Sequence, residues 1–175
     1  MNPEEIIPAF DRFLRDRELL FECIAVGAAT LGLLGIISRH TRDLDILDPE
    51  IPVEIIEAAR SFAQWCRENG LALDTDWLNN GPMSLKRDLP DGWQEHLQPV
   101  FVGQALTIRT LGRLDLLRCK LFALCDRGID LPDCLALAPT REEIDEVTPW
   151  LEEHDGNPDW PTHVREVLDD LKERL

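Results

Sequence analysis

Asp43 and Asp45 stand one residue apart in the run Ser38-Arg39-His40-Thr41-Arg42-Asp43-Leu44-Asp45-Ile46-Leu47. The run reads as a short apolar strand, on which residues i and i+2 share a face. The spacing predicts two carboxylates side by side, with Leu44 and Ile46 buried behind them. Like charges that close repel, and a divalent cation (Mg²⁺ or Mn²⁺) relieves the repulsion. Upstream, Gly27 opens Gly27-Ala28-Ala29-Thr30-Leu31-Gly32. Glycine lets a backbone come close to a ligand, and backbone N–H groups at a helix start can hold phosphate. Arg39 and Arg42 flank the acids; one could neutralise phosphate while the other pairs with an aspartate. The chemistry these residues could perform together is metal-assisted work on a phosphorylated ligand. The plainer alternative is a strand end decorated with surface ion pairs.

Positioning these groups requires strands interleaved with helices. The pattern predicts a helix from Asn2 or Pro3, with Glu4 and Glu5 where the helix dipole favours acids and a stripe of Ile6, Phe10, Phe13 and Leu14. Strands are expected at Leu20 to Val26 and Leu44 to Leu47, with a short buried helix over Ala28 to Leu34 between them. Val53 to Asn69 is amphipathic, with Gly70 as its C-terminal cap. A third strand is expected from Leu71 to Leu73, then a loop from Asp76 to Pro82. Residues 91 to 97 suit a short helix. Val100 to Val102 and Ala105 to Thr110 read as a hairpin turning at Gly103-Gln104. Helices follow at Arg113 to Arg127, Leu131 to Leu137, Arg141 to Glu153 and Pro161 to Leu175. Strands first and helices last give an α/β (α+β) fold, a small mixed sheet with a helical C-terminus. The expected division is 1–138 for the site-bearing domain and 139–175 for a helical extension packed on it. A boundary near Ile129 is only weakly marked.

Charge narrows the partners. The 175 residues carry a formal charge of −16, which repels nucleic-acid phosphates over most of the surface and favours a basic protein partner. From Asp130 onward, 14 acids face 4 bases, a net of −10, whereas residues 86 to 127 hold 7 bases and 5 acids, a net of +2. The five cysteines (Cys23, Cys66, Cys119, Cys125, Cys134) are odd in number and lack CxxC spacing. They read as buried thiols of a reducing cytoplasm. The longest uncharged run, Cys23 to Ile37, falls short of the ~20 residues a spanning helix needs, so neither a membrane span nor a signal peptide is expected.

His40, His96, His154 and His163 form no ligand-spaced group. The tryptophans read as packing residues, with Trp77, in a loop after Asp76, the best placed to stack on a base. Asp115, near its helix start, reads as an acid favoured by the dipole. Lys120 lies at helical spacing from Leu116, Leu117 and Leu124. Arg127, Asp130 and Asp133 suit an ion-pair network tying two helices together.

A hydrophobic strand, a glycine turn, a short helix and Arg-x-Thr-x-Asp-x-Asp recur here as Ile24-Ala25-Val26-Gly27-Ala28 with Arg39, Thr41, Asp43 and Asp45. Lys120, Ala123, Arg127, Asp130 and Asp133 follow on later helices. This pattern resembles the nucleotidyltransferase fold of the DNA polymerase beta superfamily. More narrowly, it is similar to a minimal bacterial branch that includes AbiEii-type toxins and related uncharacterised families, over roughly residues 20 to 138. The resemblance implies metal-dependent transfer of a nucleoside monophosphate from an NTP to a hydroxyl of RNA, protein or a small molecule. It implies Asp43 and Asp45 as metal ligands, and Gly27, Ala28, Arg39, Thr41, Arg42 and Lys120 as nucleotide contacts. A toxin–antitoxin setting is implied by the resemblance alone. Two departures stand out. Ala28 replaces the Gly or Ser of the pattern, removing a hydroxyl contact. A third carboxylate is expected on a later strand; Asp74 or Asp76 could supply it, since the strand Ala105 to Thr110 holds no acid. Two rival readings therefore stand. One is a degenerate member that binds nucleotide or a partner without turnover; the other is an acidic interaction protein.

Overall fold

The computed structural model describes residues 1–175. They form two compact units, Met1–Leu111 and Gly112–Leu175. Position 138, expected to end the first domain, lies in the connection between two helices of the second unit.

The first unit begins with helix α1, Pro3–Arg15. The Asn2 side chain accepts from the Glu4 amide, and Glu4 and Glu5 occupy the first turn, satisfying one orphan donor and the dipole. Ile6, Ile7, Phe10 and Leu14 are buried on one face. Strand β1 (Phe21–Val26), helix α2 (Ala28–Leu33), strand β2 (Leu44–Asp48) and helix α3 (Val53–Glu68) follow. Then come the two-residue strand β3 (Leu78–Asn79), 3-10 segments at Gly81–Arg87 and Trp93–His96, and the hairpin of β4 (Gln98–Val102) and β5 (Leu106–Thr110).

The sheet order is β3-β2-β1-β5-β4. β1 runs parallel to β5 and antiparallel to β2, while β2 is parallel to β3. Alternation sends Phe21, Cys23 and Ala25 of β1, Leu44 and Ile46 of β2, and Leu106 and Ile108 of β5 into the core with the stripes of α1 and α3. Each fully buried aliphatic or aromatic side chain there contributes about 1.5–3 kcal/mol. Register is irregular between Ile24 and Ala25, where Ile24 faces Asp48, Ala25 faces Ile46 and Val26 faces Asp45. The extra residue on β2 is a β-bulge, and it decides which face the acids of β2 occupy.

Two expectations are corrected. Leu71 to Leu73 is not a strand: the Leu71 N–H is used in capping α3, donating to the Cys66 carbonyl at 2.9 Å. The third strand lies inside the segment expected to be loop, where Leu44 N–H donates to the Trp77 carbonyl at 2.6 Å and Leu44 and Asp45 align with Leu78 and Asn79.

The second unit is helical: α4 (Arg113–Arg127), α5 (Leu131–Ala136), α6 (Arg141–Glu152) and α7 (Trp160–Arg174). Thr140 and Glu143 form a reciprocal capping box at the start of α6. Ile144, Val147 and Leu151 of α6 and Val164, Leu168 and Leu171 of α7 are buried. No helix of the chain is long and apolar enough to cross a membrane.

Candidate functional site

Gly27 follows directly on β1 with φ +84°, a conformation that disfavours any side chain. A Cβ built on it would stand 2.8 Å from Asp45 Oδ2, so the missing side chain is also what admits the carboxylate. The Thr30 hydroxyl donates to the Gly27 carbonyl at 2.8 Å and fixes the turn. On the other side of Asp45 lies Gly81, whose Cβ would stand 3.9 Å from Asp45 Oδ1. The Asp45 carboxylate of β2 thus has a glycine near each oxygen, Gly27 at the end of the central strand β1 and Gly81 just past β3.

Asp43 lies just ahead of β2 and is half-buried. With Arg42, Asp74, Asp76, Trp77 and Asn79 it lines a cleft of about 310 Å³. The structure therefore brings Asp43, Asp74 and Asp76 to one surface. Asp74 and Asp76 do not end a strand after α3; they sit exposed in the turn that enters β3. No three His, Cys, Asp or Glu side chains converge as a metal-binding group.

The neighbour of Asp45 on the adjoining strand is instead Asn79. Its Oδ1 accepts the Gly81 N–H at 2.7 Å. Sequence reasoning passed over Asn79 because Asp76 to Pro82 reads as loop; only the pairing of Leu78 and Asn79 with β2 places it beside the acid. Asn80 is structural: its Nδ2 donates to the carbonyls of Ile46 and Pro49, both at 3.0 Å, and its Oδ1 accepts from Ile51 N at 2.8 Å.

The residues expected to contact nucleotide differ in their surroundings. Arg39 is exposed and lines a different cavity, of about 200 Å³, with Asn2, Gly35, Ser38 and His40. Thr41 is buried; its N–H donates to the Met1 carbonyl at 2.9 Å, its carbonyl accepts from the Met1 amino group, and its hydroxyl has no partner. Arg42 is exposed, with Nε 3.6 Å from Asp74. Ala28, half-buried, opens α2 directly after Gly27. Trp77, the tryptophan best placed in the sequence to stack on a base, is instead a packing residue, fully buried and edge-on to Phe10 at 5.0 Å with its Nε1 donating to the Ala59 carbonyl at 3.1 Å.

Within the second unit, the Lys120 ammonium lies 2.7 Å from Asp133 and 3.0 Å from Asp130. Arg127 reaches the other oxygen of Asp130 at 3.0 Å, so the expected network of Arg127, Asp130 and Asp133 is joined through Lys120, a residue expected to contact nucleotide. Burial would lower the pKa of Lys120, but the hydrogen bonds and charges of Asp133 and Asp130 outweigh it and hold the group above the usual lysine value. Asp115, buried near the start of α4, pairs with Arg118 at 2.7 Å. Burial pushes the thiols of Cys23 and Cys134 up to about 12 and Cys125 to about 11, so these cysteines stay protonated and inert at neutral pH.

A five-stranded mixed sheet flanked by helices, with an acid of its second strand held against a glycine turn, defines an α/β protein built to present a carboxylate beside open backbone. The chain belongs to the family described as "Nucleotidyltransferase of unknown function (DUF6036)", whose match spans residues 5–135. That span covers the whole sheet and the Lys120 network and stops ahead of α6. No curated protein and no solved structure matches the chain.

Proposed function

We propose that the chain transfers a nucleoside monophosphate from an NTP to an acceptor hydroxyl at the surface that presents Asp43 and Asp45. The observation that carries this reading is the fit of Asp45 against Gly27, where glycine is required both by the positive φ and by the closeness of the carboxylate. Hard carboxylate oxygens suit Mg²⁺ or Mn²⁺, and in this reading Asp43, just ahead of β2, and Asp45, on it, would hold one cation. When bound, such an ion neutralises phosphate charge and makes a hydroxyl easier to deprotonate. The protein's own part is placement. The Gly27–Ala28 backbone offers N–H donors to phosphate, and Arg42, on the surface of Asp43, offers a cation. The acceptor oxygen bonds to the α-phosphorus, its proton leaves to water, and the α–β bridging bond breaks with pyrophosphate taking the electron pair. The finer likeness to AbiEii-type toxins, and with it a cytoplasmic toxin–antitoxin role, rests on the sequence pattern of the glycine turn, Arg39-x-Thr41-x-Asp43-x-Asp45 and the Lys120 to Asp133 helix residues.

Asn79 favours a second reading. An amide stands beside Asp45 where an acid would help to hold a second cation, so a member that binds nucleotide without turnover is the alternative. The two separate by incubating wild type and Asp45→Asn with each of four α-labelled NTPs, Mg²⁺ or Mn²⁺, total RNA and proteome. Label transferred by wild type and lost in Asp45→Asn supports the transferase. Nucleotide binding without transfer supports the alternative.

A further inference from the structure

The bulge in β2 has a consequence along the same face of the sheet. Residues directly opposite each other on paired strands share a face. Val26 is opposite Asp45, Ile24 is opposite Asp48, and Ile24 also aligns with Arg109 on β5. Ile24 and Val26 are two apart, so Asp45, Asp48 and Arg109 lie on one face although Asp45 and Asp48 differ in parity. Adjacent rows are separated by about 7 Å, two residues of strand. Beyond Asp45 on this face is a cleft of about 330 Å³ lined by Glu22, Cys23, Ile24, Asp48, Pro49 and Arg109. Two ion pairs involve its lining. Arg109 Nη2 meets Glu22 at 2.8 Å, and Asp48 is met by Lys86 Nζ at 2.6 Å.

We propose that this cleft is the acceptor subsite and that its occupant is a hydroxyl-bearing side chain on a peptide segment. The inference rests on the transferase reading of Asp45. The volume is at the low end of small-ligand sites and suits one side chain with its flanking backbone. The apolar Ile24 and Pro49 suit a side chain, and the exposed Arg109–Glu22 and half-buried Lys86–Asp48 pairs can exchange partners with flanking residues of either sign. Charge decides against a polyanion. Arg109 in the lining and Lys86 beside Asp48 are already matched by carboxylates, Asp45 lies on the same face, and the chain as a whole carries −16.

The probe is a pool of short peptides with a central Ser, Thr or Tyr and randomised neighbours, added to the isotope-labelled full chain with Mg²⁺ and a non-hydrolysable ATP analogue. The expected result is amide chemical-shift change at Glu22 to Ile24, Asp48 and Arg109, with affinity about tenfold weaker in Ile24→Trp, which fills the cleft, and unchanged binding of the ATP analogue. Shifts confined to other surfaces, no shifts at all, or the same shifts produced by a single-stranded RNA in place of the peptides would overturn the subsite. Peptide binding here without label transfer keeps the subsite and rejects turnover. Label transfer without peptide binding keeps turnover and rejects the subsite.

Discussion

Gly27 concentrates the local argument into one atom. Adding a single methyl there meets two penalties, a positive φ that L side chains rarely adopt and a 2.8 Å approach to Asp45 Oδ2. Gly27→Ala is therefore expected to cost about 1–3 kcal/mol in urea unfolding and to reduce nucleotidyl transfer more than its loss of stability explains, because relief comes from moving the carboxylate. Equal transfer by the folded variant would show that the position of Asp45 is not critical. The spacing of Asp43 and Asp45 drew attention to this segment, although β2 begins only at Leu44 and leaves Asp43 ahead of it, and Gly27 was legible from its place after an apolar strand. Asn79 was not, because nothing in Trp77-Leu78-Asn79-Asn80 marks two residues that are strand only by virtue of their partner.

At the scale of the element, the helices and the first two strands follow from apolar periodicity and caps, and α4 begins and ends where Arg113 and Arg127 predict. What escaped were features made by long-range pairing. The bulge has a faint local signature, the adjacent apolar Ile46 and Leu47 that break the alternation of β2. The clamp on the β4–β5 hairpin has none. Buried Asp11 of α1 accepts from the Ala105 and Leu106 amides, both at 2.8 Å, and Gly103 is glycine because any Cβ would collide with that carboxylate. Burial would raise the Asp11 pKa, but the amides of Ala105, Leu106 and Gln104 prevail and hold it below the usual carboxylate value. A depressed pKa contributes stability above the unfolded value of about 3.9 and loses it as pH falls through the folded one. Asp11→Asn is expected to cost about 1–3 kcal/mol at pH 7 and to flatten the acid limb of a stability profile; an unchanged profile would deny the clamp. In the second unit, Lys120→Met strips Asp133, 1% exposed, of its ammonium and is expected to cost about 3–5 kcal/mol in chemical denaturation. Combining it with Asp133→Leu should recover much of that loss. The raised Lys120 pKa means the pairing is intact at neutral pH and fades only as pH climbs through the folded lysine's value.

Across the whole molecule, charge and family membership constrain the chemistry together. A chain at −16 repels polyanions, and its family is one of nucleotidyltransferases. In the proposed function, a cation at the strand-borne acid would bring an anionic NTP against an acidic protein. Sequence composition made the charge visible at once. It could not show that Asp48 and Arg109, far apart in the chain, line one cleft on the face of Asp45, because sheet order and a bulge place them there. The most direct test of the site is paramagnetic broadening of amide resonances by Mn²⁺ in the presence of an ATP analogue. Broadening centred on Gly27, Asp43, Asp45 and Asn79, and abolished in Asp45→Asn, is the expected result. Broadening elsewhere that is indifferent to Asp45→Asn would contradict the assignment of this surface as the metal and nucleotide site.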